Sequence, residues 1–169
     1  MRAGDARERG VIDIVLADYG NPAQAAALVQ LLDAYARDPA GGGAPLAAEV
    51  MAGLPAALAA RPQAFSVLAF DGAVPVGLVN CIEGFSTFAC RPLVNVHDVV
   101  VIASHRGQRV AQRMFERVEA EARARGACKL TLEVLSGNQA ALRAYEREGF
   151  AGYQLDPAFG SALFLQKKL

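Results

Sequence analysis

The stretch Val99 to Ala111, VVVIASHRGQRVA, joins an apolar run to a helical period through a short turn that holds Arg106 and Gly107. A helix start presents amides without internal acceptors and the positive end of the macrodipole, so such a turn can bind a phosphate or diphosphate. Gly107 would permit close backbone approach, and Arg106, Arg109, Arg113, Arg117, Arg123 and Arg125 add local positive charge. An ordinary strand-to-helix connection with solvated arginines has the same pattern, so this stretch does not decide the matter alone. A second stretch, Asn138 to Phe150, reads NQAALRAYEREGF: Asn138 caps a helix, Tyr145 follows two turns later, and Gly149 and Phe150 end it. Upstream, His97 and Asp98 interrupt an apolar run. A histidine there could take a proton, or it could be a core histidine bonded to a neighbour. Glu83 is a rival base, with an exposed strand-end carboxylate as its alternative.

Composition narrows the chemistry these residues can serve. The 169 residues are 53% hydrophobic and 20% charged, which suits one globular domain, 11–169, after a mobile tail at 1–10. Seventeen Lys and Arg balance 17 Asp and Glu, so no global positive field draws a polyphosphate backbone, and nucleic acid is disfavoured as a partner. Cys81, Cys90 and Cys128 form an odd set without C-x-x-C spacing, which argues against a disulfide framework or a metal site. No apolar run approaches a membrane span, so the reading is cytoplasmic, with no membrane partner.

The elements that must position these residues follow from periodicity. Val11 to Leu16 reads as a strand, and Asn21-Pro22 starts a helix with an apolar stripe at Ala26, Leu28, Val29, Leu31, Leu32 and Tyr35. Pro39 and Gly41 to Gly43 force a loop before a second helix over Leu46 to Ala60. Phe65 to Phe70 and Val74 to Ile82 form a hairpin about Asp71 and Gly72, and Leu93 to Ile102 is a central strand buried on both faces. Val110, Met114, Val118 and Ala122 share one face of a helix that Gly126 stops. Lys129 to Leu135 is the next strand, and short strands near Phe150 to Tyr153 and Ala162 to Gln166 close the chain. The order β, α, α, β, β, β, α, β, α, β, β makes the class α/β or α+β.

Together the two stretches resemble the GCN5-related N-acetyltransferase (GNAT) family, whose cofactor motif reads Arg/Gln-x-x-Gly-x-Gly/Ala and whose later helix reads Asn-x-x-Ala-x-x-x-Tyr-x-x-x-Gly-Phe. The resemblance is specific over about residues 95 to 150. It implies a mixed, mostly antiparallel sheet flanked by about four helices and splayed between its fourth and fifth strands. It also implies acetyl-CoA as cosubstrate. By position, Val99, Val100 and Val101 would offer backbone groups to the pantetheine. Arg106, Gly107, Gln108, Arg109, Val110, Ala111 and Gln112 would wrap the diphosphate, and Asn138 would hold the cofactor from its own helix. One departure stands out: Arg109 occupies the position of the motif's second glycine. Its side chain could crowd the phosphates or add a cation to them.

Acetyl transfer from a thioester to an amine needs an uncharged amine, an oxyanion donor and an acid for the departing thiolate. The resemblance places Tyr145 in the acid's position, and a phenol with a reference pKa of about 10 carries a proton at neutrality. The other reading of Tyr145 is a packed helix tyrosine. His97 resembles the base position of polyamine-type members. Side-chain alternation turns Asp98 to the opposite face, in a structural role. Phe85, Phe88 and Arg91 could shape an acceptor pocket, while Cys90 and Cys128 lack a base, so direct transfer is preferred to an acyl-enzyme. The expectation is an N-acetyltransferase with a small-molecule amine as acceptor, a protein amine being the nearest variant. The alternative is a non-catalytic CoA-binding regulatory module; a dinucleotide oxidoreductase is a poorer third reading, because G-x-G-x-x-G is missing and the strand before Gly107 lies too far along the chain to open a Rossmann unit. A homodimer is compatible with the sequence, which does not itself fix the oligomeric state.

Overall fold

A computed structural model describes residues 11–153, 156, 158, 160 and 162–169, so the tail expected at 1–10 lies outside the described residues. The chain forms two compact units, one running up to Thr131 and the other from Leu132 to Leu169.

The first unit is built on a sheet in the order β1-β2-β3-β4-β5. Strands β1 (Ile12–Leu16), β2 (Ala64–Asp71), β3 (Val74–Ser86) and β4 (Arg91–Val101) form an antiparallel meander. The hairpin between β2 and β3 turns on Gly72 and Ala73, one residue later than expected, with Asp71 paired to Val74. Gly72 alone of the two has positive φ, +57°, which is the demand of a turn with glycine at its first central position. Strand β5 (Leu130–Leu132) runs parallel to β4 and joins it at one end, through Cys128 N–H to the Pro92 carbonyl (2.8 Å) and Val94 N–H to the Lys129 carbonyl (3.0 Å). The sheet is thus mixed and mostly antiparallel, splayed between its fourth and fifth strands as the fold class requires.

Helix α1 (Pro22–Ala36) starts where Asn21 Oδ1 accepts the N–H groups of Ala23 (3.0 Å) and Gln24 (3.2 Å), with Pro22 in its first turn. Its Leu28 and Leu31 pack with Leu68, Leu78 and Val100 of the sheet, and Leu54 and Leu58 of α2 (Ala48–Ala59) close over that cluster. The loop between the helices folds back on α1: a Cβ on Gly41 would sit 2.0 Å from the Tyr35 carbonyl oxygen, so only glycine fits. On the opposite face lies α3 (Val110–Ala124), whose Val110, Met114, Val118 and Ala122 are all buried, as their spacing by four predicts. Gly126 (φ +76°) ends it, with Ala127 N–H reaching back to the Ala122 carbonyl at 2.9 Å.

The second unit carries α4 (Gln139–Arg147), capped by Asn138 and followed by Gly149 at φ +86°. Three expectations fail here and at the border. The strand expected over Lys129 to Leu135 shrinks to Leu130–Leu132. Neither Phe150 to Tyr153 nor Ala162 to Gln166 forms a strand. A strand exists only where its backbone meets a neighbour, and Leu163, Phe164 and Leu165 stay exposed.

Two backbone positions test this account. A Cβ on Gly77 would lie 2.9 Å from Met114 Sδ and Cε and 3.2 Å from the Ala69 Cβ, with Met114 fully buried. Gly77→Ala should therefore cost about 1 kcal/mol and Gly77→Val about 2–3 kcal/mol in urea unfolding. Arg109 holds φ +61°, the left-handed conformation that glycine adopts without steric cost. Arg109→Gly should raise stability by about 0.5–1 kcal/mol in the same assay, whereas Arg109→Ala, which keeps the strain, should leave it nearly unchanged.

Candidate active site

The site is organised by one irregularity in β4. Asn80 pairs with Asp98 while Cys81 pairs with Val96, so His97 is an extra residue opposite no partner, and it is exposed. This bulge defeats simple alternation. Val96 and Asp98, two residues apart, lie on opposite faces of the sheet, because their partners Cys81 and Asn80 do. Beyond the bulge the pairing is regular: Val99 with Val79, Val100 with Leu78, Val101 with Gly77. Ile102 N–H donates to the Val76 carbonyl at 3.0 Å. Backbone direction alternates along an antiparallel strand, so Val100 also turns toward β3, and only Val99 and Val101 turn their N–H and C=O groups away from it. Of the three valines expected to offer backbone groups, Val99 and Val101 are the two that face away from β3.

After Val101 the chain makes a 3₁₀ turn at Ala103–His105 and enters α3. His105 fastens this turn to the β2–β3 hairpin: its Nδ1 is 2.9 Å from Ser104 Oγ and its Nε2 is 3.2 Å from Asp71 Oδ2. Arg106 Nε donates to the Val101 carbonyl (3.0 Å), and Gln108 Nε2 donates to the Ser104 carbonyl (2.9 Å). Gly107 (φ +74°) and Arg109 (φ +61°) are both left-handed, so the chain curls as it would with two glycines. The first helical bond of α3 runs from Arg113 N–H to the Arg109 carbonyl at 3.1 Å. The amides of Val110, Ala111 and Gln112 therefore have no acceptor within the helix, Arg109 supplies no side-chain cap, and the first turn holds no acidic residue.

That donor set fits a diphosphate: clustered amides, the positive helix end and nearby cations. The arginines divide in their duties. Arg113 spends an N–H on the Ile12 carbonyl (2.6 Å), and Arg106 lies 4.0 Å from Asp38 of the α1–α2 loop. Arg109 is exposed and, among the described residues, makes no ion pair.

On the other side of β4, Ser66, Asn80 and Asp98 lie opposite one another on three adjacent strands. Their side chains are bonded in series, and Tyr19 joins the series at Ser66. Sequence reading missed this row. Its signal was a lone asparagine inside the apolar run GLVNCI. Glu83 is placed elsewhere: its carboxylate meets Arg125 at 3.3 Å, and Arg125 also bonds Glu121 and stacks 4.7 Å over the Phe65 ring. Glu83 is thus committed to holding the end of α3. Burial pushes the Cys81 thiol up to about 12, so it is no nucleophile near neutrality. Phe85 and Phe88 are exposed. Among the described residues no group of His, Cys, Asp and Glu is placed to hold a metal ion, and no helix is long and apolar enough to cross a membrane.

In the second unit Asn138 spends its Oδ1 on the Ala141 N–H (3.1 Å), starting α4. Tyr145 lies on the half-buried side of that helix, its ring 6.0 Å from Phe150 in an edge-on contact. Phe150 N–H returns to the Tyr145 carbonyl at 3.0 Å, so the Gly149-Phe150 stop fixes the tyrosine's turn of helix.

Known proteins share this architecture and sequence pattern. A streptothricin acetyltransferase of Streptomyces lavendulae is 35% identical over 88 residues, 50% of this chain and 47% of that protein. The matched part thus spans about half the length of the curated relative. Among solved structures, a ribosomal-protein-alanine N-acetyltransferase from Brucella melitensis biovar Abortus 2308 superposes with a TM-score of 0.69 at 19% identity, over 93% of this chain and 100% of that one. AAC(6')-Iy in complex with the bisubstrate analogue CoA-S-monomethyl-acetylneamine reaches 0.75 at 14% identity, over 95% and 100%. At those identities the likeness is one of fold. The model of the acetyltransferase (GNAT) family matches residues 26–150, which takes in the meander, the turn before α3 and all of α4, and the chain belongs to that family.

Proposed function

We propose that this chain is an N-acetyltransferase that moves the acetyl group of acetyl-CoA to a primary amine of a small molecule by direct attack. The observation that carries the reading is the start of α3, where three amides without helical acceptors follow left-handed Gly107 and Arg109, one 3₁₀ turn beyond β4. The family's use of acetyl-CoA supports it, and so do relatives named for streptothricin and for an acetylneamine bisubstrate.

Acetyl-CoA, when bound, supplies an activated acetyl thioester. Val110, Ala111 and Gln112 would hold its diphosphate through backbone N–H groups, and Arg109 would add a cation at the phosphates. Val99 and Val101 would align the pantetheine through the backbone groups they turn away from β3, and on the family resemblance Asn138 would support the cofactor from α4. On the family resemblance His97, exposed at the bulge, would take a proton from the attacking amine, and Tyr145 would give its phenolic proton to the departing thiolate as the C–N bond forms and the C–S bond breaks. Because Glu83 is engaged by Arg125, the base role falls to His97.

A binding module without turnover was suggested by Arg109 in place of a glycine. Arg109 adopts the glycine-like conformation, so the feature that favoured a module carries little weight.

Thiol release from acetyl-CoA over a panel of aminoglycosides, polyamines and peptides with free N-termini tests the proposal. Release with at least one small amine is expected, and tight CoA binding with no release for any acceptor would contradict it. Tyr145→Phe should lower kcat by about 100-fold with little change in CoA affinity. Arg109→Ala should weaken CoA about three- to tenfold and leave kcat at saturation nearly unchanged.

A further inference from the structure

Ser66 and Asn80 are 1% and 7% exposed, yet both are polar and sit in the middle of the sheet. The adjoining row on the same face is wholly apolar, Leu68, Leu78 and Val100. Buried polar groups destabilise a core unless each is hydrogen-bonded, and here each is. Ser66 Oγ donates to Asn80 Oδ1 at 2.6 Å. A hydroxyl has one proton to give, so the Tyr19 hydroxyl, 2.9 Å away, donates to Ser66 Oγ. With its oxygen occupied, Asn80 turns Nδ2 to Asp98 Oδ2 at 3.0 Å. Every donor in the series points toward Asp98, whose carboxylate is half-buried. Among the described residues its other oxygen meets no donor.

Tyr35 of α1 has its phenol pushed up first by burial and then by the carboxylates of Asp98 and Asp38, so both acids lie within electrostatic reach of that phenol. Arg106 lies 4.0 Å from Asp38. Arg125 is engaged by Glu83 and Glu121. The buried row thus ends in a half-buried carboxylate that keeps one oxygen for a further donor.

We infer that Asp98 binds a protonated amine of the acceptor, and that Tyr19, Ser66 and Asn80 are positioning residues that aim its carboxylate at that ammonium group. This rests on the acetyltransferase reading and narrows its substrate class to cationic molecules with more than one amine. One ammonium stays charged on Asp98 while a second amine is acetylated.

The test is calorimetric titration of neamine and of spermidine into the full chain saturated with CoA. Wild type should bind at least one of them. Asp98→Asn, close to isosteric, should weaken that binding about tenfold or more, while CoA affinity stays within about twofold. Tyr19→Phe removes the first donor of the series and should raise KM for the amine about two- to threefold with kcat unchanged, a split that simple loss of folded protein would not produce. Equal polyamine affinity in wild type and Asp98→Asn would overturn the inference, and so would wild-type protein that binds CoA but neither polyamine. Failure of CoA binding, or of thiol release with every amine, would instead strike the acetyltransferase reading itself.

Discussion

The first turn of α3 carries N–H groups that the helix cannot satisfy, and much of the molecule is arranged to keep them that way. No side chain caps them, and no acid stands in the turn. The approach is braced from three directions: His105 to the hairpin at Asp71, Arg106 to the Val101 carbonyl, and Arg113 to the Ile12 carbonyl. Behind the turn, Val110, Met114 and Val118 anchor the helix in the core, so the donors are held by packing rather than by the loop alone. Left-handed Arg109 keeps this geometry at a steric cost, which burial along the rest of the helix can offset.

The bulge at His97 is the second constraint, and it separates two tasks on one strand. Before it, β4 bonds to β5; after it, Val99 and Val101 turn their backbone away from β3. The same extra residue sends Asp98 to the face of α1, where the Ser66 and Asn80 row reaches it. A strand in perfect register would put Asp98 on the face of Val96, in the apolar packing beneath α3.

Sequence patterns disclosed those parts whose causes are local. The Asn21-Pro22 start, the spacing by four in α3, the glycine after each of α3 and α4, and the Asn138 cap all depend on residues within a few positions of one another. The turn before α3 was legible for the same reason, through Arg106 and Gly107. Features set by pairing partners were not. The bulge at His97 and the row across β2, β3 and β4 need the register of three strands, and the ion pair that occupies Glu83 joins residues 42 apart. Strand expectations for Phe150 to Tyr153 and Ala162 to Gln166 failed because apolar, β-prone composition names a strand without naming its neighbour.

Amide hydrogen exchange at Val110, Ala111 and Gln112, resolved by NMR with and without CoA, probes the central donors themselves. Saturating CoA should slow exchange at these three amides and shift their resonances more than those of the later turns of α3. Binding of CoA that leaves all three unprotected would contradict the account.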